Sequence, residues 1–179
     1  DGGSGDGSEA AIARVISDRD CGAWVELLAL PDNRGFAAGN NAAIRRALSA
    51  GNRPDFIYLL NPDTVIRPGA VRELLTFMRA YPAAGIAGSR NENPDGSPRQ
   101  TAFRFPSALG ELESEAALGV VSRLLVRKQI AMPISTTPHR ADWVCGAAMM
   151  VRSAVFEQVG LMDERFFLYY EETDLALRA

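Results

Sequence analysis

The sequence predicts an α/β protein built on a mostly parallel, doubly wound sheet flanked by helices. Three observations predict it. Helix-period and strand-like segments alternate from residue 6 to residue 89, the rhythm of parallel strands joined by crossover helices. The run DFIYLL (Asp55–Leu60) is nearly all apolar, as a strand buried on both faces requires. The turn formers NPDT end that run at once, and in such sheets ligands gather at the carboxyl ends of strands.

The opening stretch DGGSGDGS (Asp1–Ser8) allows three readings. It is a flexible linker, a dinucleotide fingerprint that departs from the pattern at Ser8, or a strand-to-helix loop whose strand lies upstream of Asp1. Asp6 and Glu9 have capping-box spacing, and Ile12, Val15 and Ile16 recur at helical spacing. The glycines therefore lead straight into a helix, which favours the third reading.

AWVELLAL (Ala23–Leu30) reads as a strand and PDNRG as a turn. From Ala37 to Ala50, Ile44, Ala47 and Leu48 mark a helix face, which Gly51 ends. After the Asp55–Leu60 strand, Pro68 opens a helix in the favoured first-turn position. Val71, Leu74, Leu75 and Met78 give it one apolar face. AGIAGS (Ala84–Ser89) is another small strand.

The rhythm breaks after residue 90. NENPDGSPRQ is rich in turn formers. Residues 107–130 read as helical but irregular, with Glu111, Glu113 and Glu115 on a solvated face and a basic run at Arg123, Arg127 and Lys128. DWVCGAAMMV (Asp142–Val151) reads as a buried strand or strand-turn. RSAVFEQVG is a short helix closed by Gly160. FFLYYEETDLALRA reads as an aromatic strand running into an acid-fronted helix.

A length of 179 residues allows one domain with a real core. Apolar residues at 47% and charged residues at 23% are ordinary globular values. The net charge of -3 argues against a general nucleic-acid binder but not against a small phosphorylated ligand. No apolar run reaches the roughly 18 residues of a membrane span. Cys21 and Cys145 are too few for a disulfide framework or a zinc site and read as buried thiols in a reducing compartment. The single histidine, His139, lies in a loop-like stretch with no nucleophile elbow nearby, so Ser-His-Asp chemistry is not expected. Carboxylates remain to carry any catalysis.

Asp63 follows a buried strand in a tight loop. A carboxylate there can hold Mg²⁺ or Mn²⁺ against a diphosphate, because hard cations prefer oxygen ligands; NPDT is equally a good turn sequence. The acids of EETD (Glu171–Asp174) complement a helix dipole. Their place after five mostly aromatic residues also suits a general base, since apolar surroundings raise a carboxyl pKa. Glu171 and Asp174 share a helix face while Glu172 points elsewhere, so one acid can face a substrate while the pair anchors the helix. In NRGFAAGNN (Asn33–Asn41), Gly35 and Gly39 let backbone approach a ligand, and Arg34 offers a cation.

Taken in order, these segments resemble the inverting family 2 glycosyltransferases of GT-A fold, especially their rhamnosyltransferase-like branch. Asp1–Ser8 is similar to the family's D-N-x-S-x-D-G-S, with Gly2 in place of Asn. NRGFAAGNN is similar to its N-x-G-x-x-x-x-x-N segment, and LLNPDT to its DxD motif reduced to one acid. Asp142–Ser153 resembles the acceptor-side strand, and Met162–Arg178 the segment with the catalytic base. The resemblance implies a GT-A, Rossmann-like sheet and a single domain over 1–179, truncated at both ends and lacking the first strand. Residues 1–90 would be its nucleotide-binding half and 91–179 its acceptor-side half.

The resemblance also implies roles. Asp1, Asn33, Arg34, Gly35, Asn40 and Asn41 would contact the donor nucleotide-sugar. Asp63 would hold Mg²⁺ or Mn²⁺, and Glu172 would deprotonate the acceptor hydroxyl. Glu171 and Asp174 would support the helix, and Asp142, Trp143 and Gly146 would lie on the acceptor side. The implied donor is a dTDP- or UDP-sugar, and the implied acceptor is a glycan or lipid-linked. The setting would be surface polysaccharide or glycolipid assembly, cytoplasmic, at the inner face of a membrane. No Q-x-x-R-W motif points to a processive synthase. Two rivals remain: a sugar nucleotidyltransferase, which leaves EETD without a role, and a non-catalytic nucleotide-sugar-binding relative, against which the joint presence of Asp63 and Glu172 counts. The enzyme reading requires Asp63 and Glu172 to serve one common site.

Overall fold

The computed structural model describes residues 1–107 and 130–179. The helix expected over 107–130, with its acidic and basic residues, lies outside these but for its end positions. The chain forms two compact units, one of Asp1–Pro54 with Leu161–Glu171, the other of Asp55–Gly160 with Glu172–Ala179. Among the described residues no helix is long and apolar enough to cross a membrane.

The first unit carries helices α1 (Ser8–Asp18) and α2 (Phe36–Ser49). The helix expected near Asp6 begins two residues later. Asp6 does not cap it across four residues; its carboxylate accepts from the Ser8 N–H (2.9 Å), and Gly7, at φ 89, occupies the N-cap. α2 buries Ala37, Ala38, Asn41 and Ile44, a single stripe at helical spacing. Asn41 is fully buried and satisfied on both sides of its amide. Nδ2 donates to Met162 O (2.8 Å), and Oδ1 accepts from Met162 N–H (3.1 Å). One side chain thus does what a strand neighbour would do, and it ties the 161–171 segment to α2.

Ala23–Leu30 does not form the expected strand. Asp1 N donates to Leu28 O (2.9 Å), and Leu30 N donates to Asp1 O (3.0 Å). That is one step of a parallel ladder, and a strand needs a partner along several residues. Residues 166–170 are not a strand either. They bend, with Tyr169 at φ 71 and Tyr170 at φ 72, a left-handed backbone that breaks the alternation of a strand.

The second unit holds β1 (Phe56–Leu60), α3 (Ala70–Ala80), β2 (Ile86–Gly88), β3 (Ala102–Phe103), β4 (Trp143–Val144), β5 (Ala148–Arg152) and α4 (Ser153–Val159). It also holds all of α5 (Glu171–Arg178) beyond its first residue. The three-stranded sheet runs β1-β5-β2, with β5 antiparallel to both neighbours. β1, α3 and β2 make the expected crossover, so β1 and β2 run parallel to each other. They are not hydrogen-bonded neighbours, because β5 lies between them. The mostly parallel pairing predicted from the sequence is therefore not what the described strands form. An apolar run tells that a strand is buried; it does not tell which way its neighbour runs.

Met78 of α3, Ala87 of β2 and Met150 of β5 centre the core, with Val71, Leu74 and Leu75 of the predicted α3 face packed on them. Met149 and Val151 alternate to the other face of β5 and are fully buried. Arg152 closes this end of the sheet. Its Nη2 donates to Met78 O (2.8 Å), its Nε to Ala84 O (3.3 Å), and the guanidinium lies 4.9 Å from the Phe56 ring centroid. A cation is thereby set against the Met78 carbonyl in the last turn of α3, where the helix dipole favours it.

Arg152→Met keeps the aliphatic stem and strands those carbonyls. Hydrogen bonds to charged groups contribute about 2 kcal/mol, so amide exchange of Met149–Val151 should speed up by about 30-fold. Unchanged exchange there would show that the guanidinium does not hold this end of the sheet.

Candidate functional site

In the first unit the predicted donor-side residues gather at the entry to α2. Asn33 Oδ1 accepts from Gly35 N–H (3.0 Å), an Asx turn that starts the helix. Gly35 sits at φ 90, and a Cβ there would collide with the Phe167 carbonyl. That carbonyl accepts from Phe36 N–H (2.9 Å). The opening loop arrives at the same place. A Cβ on Gly3 (φ 83) would lie 2.6 Å from the Asp32 carbonyl carbon and 2.9 Å from Asn33 N. Asp1 folds the loop back, its carboxylate accepting from Gly3 N–H (2.9 Å), Ser4 N–H (3.0 Å) and Ser4 Oγ (2.6 Å).

The side chains at this entry have protein partners. Asn40 Nδ2 donates to Phe36 O (2.9 Å). Arg34 reaches Glu164 Oε2 (3.4 Å), while Arg45 (2.8 Å) and Asn41 (3.1 Å) meet Oε1. Hydrogen bonds from Asn41 and Arg45 hold the Glu164 carboxyl below its usual range; the charges of Arg45 and Arg34 add to this and burial opposes it. Sequence reasoning missed Glu164. The available signal was α2 itself, which carries Arg45 and Arg46 and no acid.

The second unit holds the acids assigned to chemistry. NPDT is a turn, as its sequence says. Thr64 N–H donates to Asn61 O (3.1 Å), with Pro62 in the favoured second position and Asp63 exposed. Asn61 N–H donates to Ala147 O (2.9 Å), carrying the β1–β5 ladder one residue past β1. The next residue back, Gly146, donates its N–H to Glu172 Oε1 (3.5 Å). The Asp63 turn and Glu172 are thus attached to adjacent residues of one loop, Gly146 and Ala147. Among the described residues of this unit, three buried oxygens have no hydrogen-bond partner: Asn61 Oδ1, Glu172 Oε2 and Thr173 Oγ1.

The remaining candidates have other surroundings. Asp174 Oδ2 accepts from Arg178 Nε (2.9 Å) and Nη2 (2.7 Å). Asp142 Oδ2 accepts from Phe105 N–H (2.8 Å), and Trp143 Nε1 donates to Arg104 O (3.0 Å) with its ring stacked on Phe103 at 4.2 Å. Asp142 and Trp143 therefore belong to the β3–β4 ribbon, three residues or more from Gly146 along the chain. Glu171, in the first unit, is buried. His139 is exposed, and Cys21 and Cys145 are free and half-buried rather than buried.

The turn offers an oxygen ligand, the exposed Asp63 carboxylate. That chemistry suits a hard divalent cation and not a soft one. Among the described residues no group of three or more His, Cys, Asp or Glu could hold a metal ion. A cation at Asp63 would therefore take most of its ligands from a bound diphosphate and water.

The family described as glycosyl transferase family 2 matches residues 1–159. The chain is 33% identical over 82% of its length to a low-salt glycan biosynthesis hexosyltransferase of Haloferax volcanii, covering 43% of that protein. It is 32% identical over 99% of its length to an N-acetylglucosaminyl-diphospho-decaprenol L-rhamnosyltransferase of Mycobacterium tuberculosis, covering 58% of it. A dTDP-rhamnosyl transferase of Shigella flexneri is 28% identical over 86% of the chain, which covers 46% of that protein. The chain spans about half the length of the curated relatives it matches. No solved structure matches it.

Glu164 gives the first unit a pH signature. Its folded pKa lies below the ordinary 4.5, so its contribution is present above that value and is lost as pH falls through the folded pKa. Glu164→Gln should lower stability at neutral pH, and the gap between variant and parent should close on acidification below 4.5. Urea unfolding across the acid range measures it; a gap constant with pH would contradict the clamp.

Proposed function

The chain belongs to glycosyl transferase family 2, and from that premise we propose that it is the catalytic part of an inverting, GT-A-fold sugar transferase. The donor is a nucleoside diphosphate sugar. The relatives' names favour a deoxyhexose such as rhamnose on dTDP, with UDP-sugars as the other class. The acceptor is a hydroxyl on a glycan or a lipid-linked sugar, handled at the cytoplasmic face of a membrane during surface polysaccharide or glycolipid assembly.

One observation carries this reading. Glu172 has one carboxylate oxygen held by Gly146 N–H and the other buried without a donor. Leaving a buried acceptor unpaired costs about 1–3 kcal/mol, more for a charge, and such an atom in a native fold calls for an explanation. An acceptor hydroxyl would supply the missing donor. As its oxygen attacks the anomeric carbon, the proton passes to Glu172 and the bond to the diphosphate breaks on the opposite face. This is general base catalysis with in-line displacement.

Asp63 would hold Mg²⁺ or Mn²⁺. When bound, the cation supplies charge to the departing diphosphate. Arg34, at the α2 entry, is the cation of the donor-side segment. Gly3 and Gly35 keep that segment slim, because a side chain at either would force the backbone apart.

Glu172→Gln keeps the size and the Gly146 contact and removes the basic oxygen. In the full-length protein, turnover should fall by about 10²–10⁴-fold with nucleoside diphosphate binding nearly unchanged; normal turnover would remove Glu172 from the chemistry. Asp63→Ala should abolish the Mn²⁺ or Mg²⁺ dependence of donor binding, measured by calorimetry with and without chelator. Equal donor affinity in chelator for the parent protein would remove Asp63 from metal binding.

A further inference from the structure

Resting on that reading only for what Glu172 does, we propose that Arg178 is the positioning residue that holds Glu172 in place. Along α5 (Glu171–Arg178), orientation comes from what grips the helix. Arg178 sits one turn below Asp174 and binds it through Nε (2.9 Å) and Nη2 (2.7 Å). Its third donor, Nη1, binds the carbonyl of Val159, the last residue of α4. That carbonyl is one of the four at a helix C-terminus without an intrahelical partner. Gly160, at φ 81, turns the chain away beside the guanidinium.

These contacts close a ring. α4 follows β5 with no residue between them. The other end of β5 leads back through Ala147 to Gly146, whose N–H faces Glu172 Oε1. α5 is therefore held at residue 172 by the loop before β5 and at residue 178 by the helix after β5. The two points lie about 9 Å apart along the helix axis, enough to fix its rotation as well as its position. The contact at Glu172 is long, at 3.5 Å, and would not orient the helix alone. A surface Asp–Arg pair at i,i+4 contributes little by itself; the bond to Val159 turns the pair into a strut. Lysine cannot replace it, because an ammonium lacks the rigid fork that spans two acceptors.

The test is amide exchange by NMR on this chain, comparing Gly146 N–H with Asn61 N–H. Both amides are tied to the loop before β5, Gly146 as part of it and Asn61 through its bond to Ala147 O, but only the first depends on α5. In Arg178→Lys, and in Arg178→Met where it folds, Gly146 should exchange about tenfold faster relative to Asn61. Equal acceleration at both amides, or none at Gly146, would overturn the proposal. Selective opening of Gly146 together with normal turnover of Glu172→Gln would uphold the strut and remove the base assignment. The two ideas therefore fail separately.

Discussion

β5 is the element on which the second unit depends. Ala148 to Val151 are buried on both faces, and both edges are hydrogen-bonded, to β1 and β2. Each fully buried Met or Val contributes about 1.5–3 kcal/mol. A slip of one residue would exchange Met150, which faces α3, for Met149. It would also pull Gly146 away from Glu172 and Ala147 away from Asn61. The register of one strand thus sets the spacing between the Asp63 turn and the acid at the head of α5. The same strand ends in Arg152, whose guanidinium ties the carbonyls after α3 to the sheet. Packing at the core and geometry at the site are therefore two results of one register.

The first unit solves a related problem with a side chain. Asn41 offers both a donor and an acceptor to the backbone of Met162, at a buried position where neither Met162 group could be satisfied by water. Glu164 then draws in Arg34, Arg45 and the same asparagine. Residues assigned to the donor by resemblance are thus also the residues that organise their own loops. Such commitment is what preorganisation requires: a contact surface is useful when its side chains are already locked by neighbours. The glycines complete it, since Gly3 and Gly35 sit where another chain segment passes too close for any Cβ.

The acids at the head of α5 show how one short motif divides its work. Asp174 accepts two donors of Arg178 on one oxygen, Oδ2, and so anchors the helix. Glu172 is engaged through one oxygen only. Two positions on one helix carry similar chemistry, and their surroundings give them different tasks. Asn61 repeats the pattern at the end of β1, with its backbone in the ladder and its side-chain oxygen unpartnered.

Much of this was readable in the residues. Periodicity located α2, α3 and α4 and the strands β1, β2 and β5 to within a few positions, because burial of an apolar face leaves a local imprint. NPDT declared its turn, and EETD declared an acid-fronted helix. Local pattern failed where a partner decides the outcome. Ala23–Leu30 looks like a strand, but a strand exists only through a neighbour. Phe166–Tyr170 looks like one too, but Tyr169 and Tyr170 take a left-handed backbone that no propensity predicts. The antiparallel place of β5 between β1 and β2, the Glu164 clamp and the reach of Arg178 to Val159 join residues 19 to 130 positions apart. By itself the sequence determined which segments fold and which acids are available. Only the tertiary structure decided what each of those acids touches, because that depends on groups that the chain brings together by folding.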